Sequence, residues 1–152
     1  MKSRLSIRVA APCETVLPIA AQVERWPEPL PHYRYVRPMP ALDGEEHGGE
    51  RRFAMGARSG PVPVRWEAVQ RVLAAERRIE FRHTAGVTRG MLATWRIEPT
   101  DGGCTASIEH ELTLGWPFVG RLAERRIIGP LFIEPIAGRT LRRVKALAEA
   151  AQ

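Results

Sequence analysis

A chain of 152 residues, 44% hydrophobic and 26% charged with no low-complexity tract, has the size and balance of one globular domain over residues 1–152 that buries its own core, which excludes a disordered chain. Cys13 and Cys104 lie far apart without CxxC or Cys/His spacing, and the four histidines lack close carboxylate or cysteine partners, so no disulfide framework, no metal site and a reducing cytoplasm are expected. A formal net charge of +6 leaves room for an acidic partner, whereas Arg8 and Glu14 break any signal-like run and nowhere do the roughly 18 uncharged apolar residues of a spanning helix occur.

Leu5, Ile7 and Val9 alternate with Ser6 and Arg8, the period-two signature of a half-buried strand. Pro12 suits a first helical turn, and Val16, Leu17, Ala20 and Ala21 recur at helical spacing up to about Trp26, with Pro18 shortening or kinking the helix. Pro27, Pro29 and Pro31 are too dense for a continuous helix and read as a turn or helical stub, after which Tyr33 to Pro40 is extended. His32 and His47 sit in polar, loop-like surroundings and are expected to be exposed.

Asp43-Gly44 and Gly48-Gly49 punctuate a hairpin, followed by extended runs at Arg51 to Ala57, Val62 to Val72, Arg78 to His83 and Gly90 to Pro99. Asp101-Gly102-Gly103 closes a further hairpin, and Cys104, Ala106, Ile108, His110, Leu112 and Leu114 then share one face. From Pro117 to Ala150 the period turns helical, with Val119, Leu122, Ile136, Leu141, Val144 and Leu147 on one side. Gly129, Pro130, Pro135 and Gly138 predict that this long helix is kinked or broken near residues 129 to 135. The order strand, helix pair, antiparallel strands, long helix is an α+β layout in which one curved sheet needs a helix to cover its apolar face.

Ala11-Pro-Cys-Glu-Thr-Val, Val23-Glu-Arg-Trp-Pro-Glu, Tyr33, Trp66, Trp95 and Ile108-Glu-His-Glu-Leu, in that order and spacing, resemble the START-like (SRPBCC) superfamily over nearly the whole chain. Within it the chain is most similar to the polyketide cyclase/dehydratase and coenzyme-Q-binding branch. The resemblance implies a helix-grip fold: a curved seven-stranded antiparallel sheet wrapped around a long C-terminal helix, two short helices after strand 1, and a deep cavity between helix and sheet. It further implies that the cavity holds a hydrophobic small molecule such as a lipid, an isoprenoid quinone or a polyketide-like aromatic. In aromatase/cyclase relatives a Trp and a Tyr at the spacing of Trp26 and Tyr33 guard the pocket, and an arginine further along the Trp66 strand faces it. Here that inward position reads Gln70, with Arg71 outward, which weakens cyclase chemistry by the relatives' route.

Strand parity assigns the inward faces: Val64, Trp66, Ala68 and Gln70; Ile79, Phe81 and His83; Met91, Ala93, Trp95 and Ile97; Ile108, His110 and Leu112. The candidate ligand contacts are Trp26, Tyr33, Trp66, Gln70, Phe81, His83, Met91, Trp95 and His110, joined by Phe132 and Ile136 from the C-terminal segment. The same side chains would also fill an ordinary core. Tyr33, His83 and His110 are the candidate catalytic proton donors if the protein is an aromatase/cyclase or dehydratase acting on a poly-β-keto chain. No Gly-rich phosphate loop, GxSxG elbow or HExxH motif is present, and no cofactor is expected. Arg121, Arg125, Arg126, Arg139, Arg142, Arg143 and Lys145 lie opposite the apolar stripe of the last helix, partly balanced by Glu124, Glu134 and Glu149. They form either a solvated face or a docking face for an acyl carrier protein or a peripheral anionic membrane. Nucleic acid is not an expected partner, because no recognition helix or RNA-binding signature accompanies the charge.

Overall fold

The computed structural model describes residues 2–40, 50–86, 88–112, 130 and 133–152. Strand β1 (Lys2–Val9) leads into helix α1 (Cys13–Ala21), whose first turn follows Pro12 as the extended N-cap. Pro18 lies inside α1, and the helix ends at Ala21 with the Gln22 N–H bonded to the Pro18 carbonyl. The second short helix is a single 3₁₀ turn at Val23–Arg25. Backbone bonds from Leu30 N–H to the Trp26 carbonyl and from Tyr33 N–H to the Leu30 carbonyl then fold the proline-rich stretch back toward the sheet.

Six more strands follow: β2 (Tyr33–Met39), β3 (Glu50–Ser59), β4 (Val62–Leu73), β5 (Arg78–Gly86), β6 (Leu92–Thr100) and β7 (Gly103–Glu111). They form a seven-stranded antiparallel sheet in the order β1-β7-β6-β5-β4-β3-β2. The first strand thus closes against the last, with Leu5 opposite Ile108 and Val9 opposite Cys104. Gly102 adopts φ 79 in the turn between β6 and β7, a left-handed conformation that glycine takes without a Cβ penalty. The punctuation at Asp43-Gly44, Gly48-Gly49 and His47 lies outside the described residues.

One sheet face is packed and the other is wet, as antiparallel sheets permit. Along β4, Val64, Trp66, Ala68 and Gln70 are buried while Arg65 and Arg71 are exposed. On the outer face, Glu109 pairs with Arg4 at 3.5 Å and Arg96 at 3.2 Å, and Glu111 pairs with Lys2 at 3.4 Å. Helix α2 (Glu134–Ala150) covers the packed face with Ile136, Ala137, Thr140, Leu141, Val144 and Ala148. Its far end is tied to β1: the Lys145 Nζ donates to the Arg8 carbonyl at 2.8 Å, and the Ala10 N–H donates to Glu149 Oε1 at 3.0 Å.

One sequence expectation changes here, the exposure of His32, while the irregularity expected near residues 129 to 135 is present: Pro130 and Ile133 are π-helical, and the regular helix begins at Glu134 with Pro135 in its first turn, where a missing N–H costs nothing. Residues 113–129 and 131–132, which carry the earlier part of the expected helix, lie outside the described residues. His32 is buried, since α2 packs over a segment whose local sequence looks polar. The two cysteines, distant in the chain, are brought together by the pairing of β1 with β7: both are buried free thiols, and burial with the neighbouring Cys13 thiol pushes Cys104 up to about 11.

Candidate functional site

The concave face of the sheet and the N-terminal half of α2 frame a half-open cavity of about 80 Å³. Its walls are largely aromatic. Trp26 packs edge-on against Tyr33 at 5.1 Å and lies 6.2 Å from Phe81 and 6.1 Å from Trp95, while Tyr33 meets Trp66 edge-on at 6.1 Å. Met55, Met91, Ala93 and Ile108 fill the sheet side, and Ile133, Ile136 and Ala137 close it from the helix. Trp26 turns its indole N–H away, donating to the Ile19 carbonyl at 3.2 Å, so its apolar ring is what it gives the cavity.

The polar members enter in two groups. On one side, His83 stacks on Trp66, with centroids 5.7 Å apart and rings within 4° of parallel. A bulge produces this overlap: Ala68 pairs with His83 and Glu67 with Ala85, leaving Thr84 as the extra residue. Gly86, at φ 99, closes the bulge where a Cβ would lie 2.4 Å from the Arg65 carbonyl oxygen. His83 Nδ1 shares a 2.7 Å hydrogen bond with Thr88 Oγ1, in a turn also held by Met91 N–H to the Thr88 carbonyl and Gly90 N–H to the His83 carbonyl. His110, on β7, reaches Ser3 Oγ through Nδ1 at 3.5 Å.

On the other side, Thr140 Oγ1 donates its one hydrogen to the Ile136 carbonyl at 2.8 Å. It therefore accepts from the His32 Nε2, 3.0 Å away, and the Tyr33 hydroxyl lies beside it. This network assigns the Nε2–H tautomer to neutral His32.

Burial keeps every titratable group here in its neutral form. It holds His83 at about 3, with the neighbouring His110 adding to the effect, and holds His110 at about 4. Burial, then the guanidiniums of Arg139 and, more weakly, Arg142 bring His32 to about 4, against a raising contribution from the Ile136 carbonyl. Burial pushes the Tyr33 hydroxyl above its usual value. At neutral pH the site thus offers neutral donors and acceptors and no cation. Among the described residues no three His, Cys, Asp or Glu side chains converge as metal ligands would.

Of the residues singled out in the sequence, the cavity brings together Trp26, Tyr33, Trp66, Phe81, His83, Met91, Trp95, His110 and Ile136. Gln70 points inward but lies beyond the cavity under α1, where its Nε2 donates to the Ala21 carbonyl at 2.7 Å and satisfies a helix-end acceptor. Phe132 lies outside the described residues. Sequence reasoning missed Thr88, Thr140 and His32. A threonine interrupting the apolar stripe of α2 was the available signal for Thr140, and nothing local marked His32.

Residues 1–149 match the model of a family described as polyketide cyclase / dehydrase and lipid transport. The solved structure of TTHA0849 from Thermus thermophilus superposes with a TM-score of 0.81 at 20% identity, covering 100% of this chain and 99% of that one. The Zhui aromatase/cyclase from Streptomyces sp. R1128 gives 0.80 at 18% identity over 98% of this chain and 93% of that one. The di-domain aromatase/cyclase BexL of the BE-7585A biosynthetic pathway gives 0.81 at 21% identity, covering 98% of this chain and 50% of that one. At such identities the likeness establishes the fold. Among proteins of curated function none matches this chain in sequence.

Proposed function

The chain belongs to the polyketide cyclase/dehydrase and lipid transport family, within the START-like superfamily, and from that premise we propose that it binds a hydrophobic small molecule between its sheet and α2. One observation carries the proposal: a half-open cavity walled by aromatic rings, with its few polar groups neutral and mostly engaged with one another. That is the composition of a site for an apolar guest with one or two hydrogen-bonding positions. At about 80 Å³ the cavity falls well short of the ~300–1,000 Å³ of pockets that enclose whole drug-sized ligands. It therefore takes a single ring or a chain tip, and a larger lipid, quinone or polyketide extends through the open side or displaces the aromatic walls.

A second reading, polyketide aromatase/cyclase or dehydratase activity, draws on the convergence of Tyr33, His83 and His110 on that one cavity and on the structural likeness to aromatase/cyclases. The depressed histidine values count against it as an acid mechanism, because neither imidazole carries a proton to give at neutral pH. A cytoplasmic location belongs to the same proposal; no helix among the described residues is long and apolar enough to cross a membrane.

The test is titration of the folded protein with an anilinonaphthalene sulfonate, together with native mass spectrometry of protein purified without denaturation. One equivalent of fluorophore and a co-purified hydrophobic molecule are expected. Ala93→Trp, which fills the cavity from β6, should weaken fluorophore binding by about tenfold while the variant stays folded, the overpacking costing about 1–3 kcal/mol. Unchanged affinity in a folded Ala93→Trp protein would place the fluorophore elsewhere and overturn the proposal.

A further inference from the structure

A groove of about 650 Å³ lies beyond the wall formed by His32, separate from the cavity. Its apolar lining comes from Leu30, Pro31 and Ala146. Around it stand Arg58, at the end of β3, and Arg139, Arg142 and Arg143 on α2, all exposed, with no carboxylate in the lining among the described residues. Among the described residues none of these guanidiniums pairs with an acidic side chain. Arg143 is anchored at the rim by its Nε, which donates to the Pro29 carbonyl at 2.7 Å. Arg139 and Arg143 stand one helical turn apart on the same face, a spacing at which like charges destabilise a helix. Arg58 is brought to them across the fold, its N–H bonded to the His32 carbonyl at 2.8 Å.

We propose that this groove binds a phosphate ester carried on a small organic group. Guanidinium forks match phosphate oxygens in pairs, and arginines from two elements converging on one concavity form a cradle for a multiply charged anion. The apolar lining receives the organic part of the ester. Arginines from two elements flank an apolar floor, an arrangement that fits one discrete soluble ester, charged at one end and apolar at the other, better than an extended lipid surface. The site does not depend on what fills the aromatic cavity. The two meet only at the His32–Thr140 bond, which gives the groove its own reporter: a phosphate on Arg139 and Arg142 relieves their effect on His32, so the His32 ring should titrate higher in its presence.

The experiment is calorimetric titration of the full chain with phenyl phosphate, with inorganic phosphate and phosphatidylglycerol/phosphatidylcholine vesicles as separate arms. One equivalent of phenyl phosphate should bind, more tightly than inorganic phosphate, with an upward shift of the His32 NMR titration and none at His83 or His110. Arg139→Gln/Arg142→Gln and, on a different element, Arg58→Gln should each weaken binding by about tenfold, each removing about 1.4 kcal/mol. Arg82→Gln, exposed on β5 and outside the groove lining, should leave affinity unchanged. Absence of saturable phenyl phosphate binding, or equal weakening by Arg82→Gln, overturns the proposal. Vesicle binding that needs Arg139 without phenyl phosphate binding overturns it in favour of a membrane surface.

Discussion

Two histidine–threonine pairs flank the cavity, and they differ in what they join. His83 and Thr88 are five residues apart, and their 2.7 Å bond fastens a turn between neighbouring strands. His32 and Thr140 are 108 residues apart, and their 3.0 Å bond fastens the covering helix to the segment that enters the far edge of the sheet. The first pair is held within β5 and the turn that follows it, and no group of α2 takes part in its bonds. The second exists only when the helix is seated. Chemically alike bonds thus act on different links of the fold, one on local ring orientation and one on closure of the cavity.

The sharpest way to break this comparison is to remove the two threonines separately. Thr140→Val keeps the shape of the side chain but leaves the buried His32 N–H without its acceptor and removes the bond to the Ile136 carbonyl, for an expected loss of about 2–4 kcal/mol. Thr88→Val strips one ring nitrogen of its partner and should cost about 1–3 kcal/mol. Urea denaturation measures both. In addition, Thr140→Val should speed fluorophore entry while Thr88→Val leaves the entry rate alone. Equal stabilities and equal entry rates would show that the long-range bond is no latch.

Acid sharpens the contrast next. His83 and His110 sit at about 3 and 4 in the folded protein, against about 6.5 in an unfolded chain. The unfolded state therefore takes up protons first as pH falls, so stability is full above about 6.5 and is lost down through the folded values. At pH 5 each of these two buried rings removes roughly 2 kcal/mol. His32 should contribute less, because it also borders the open groove, where solvent screens the charge. The urea midpoint is thus expected to drop between pH 7 and pH 5, and His83→Gln to flatten that drop more than His32→Gln. A midpoint constant over that range would mean that the rings are not held neutral.

The sheet was legible in the sequence because its strands alternate against water: period two survives wherever one face is wet, and the inward parity of Trp66, Phe81, Trp95 and His110 followed directly. The depth of each inward residue was not legible, since parity gives a face and not a position along the groove. Gln70 illustrates this, inward yet under α1. His32 and the contact between Cys13 and Cys104 were hidden for another reason: each is made by chain segments that meet only after the helix seats or β1 closes on β7. The irregularity before α2 was legible because Gly129, Pro130 and Pro135 crowd helix breakers into one stretch, but whether Pro135 sits at a kink or in a first turn was not.

The smallest expected effect concerns the third ring. His110 reaches Ser3 Oγ at 3.5 Å, the outer limit of a hydrogen bond, and Ser3 is only half-buried beside an outer recess that it lines together with Lys2 and Glu111. Water can replace that hydroxyl, so Ser3→Ala should cost no more than about 0.5 kcal/mol. Fluorophore affinity should change by less than about threefold, because the ring's packing against Ala93 and Ile108 is untouched. If Ser3→Ala proved as damaging as Thr88→Val, bond length and burial would not be what ranks these contacts. The weight would instead lie in fixing which nitrogen of each imidazole faces the cavity, and NMR of the ring nitrogens in Ser3→Ala would then show a tautomer change at His110 that the present ranking does not predict.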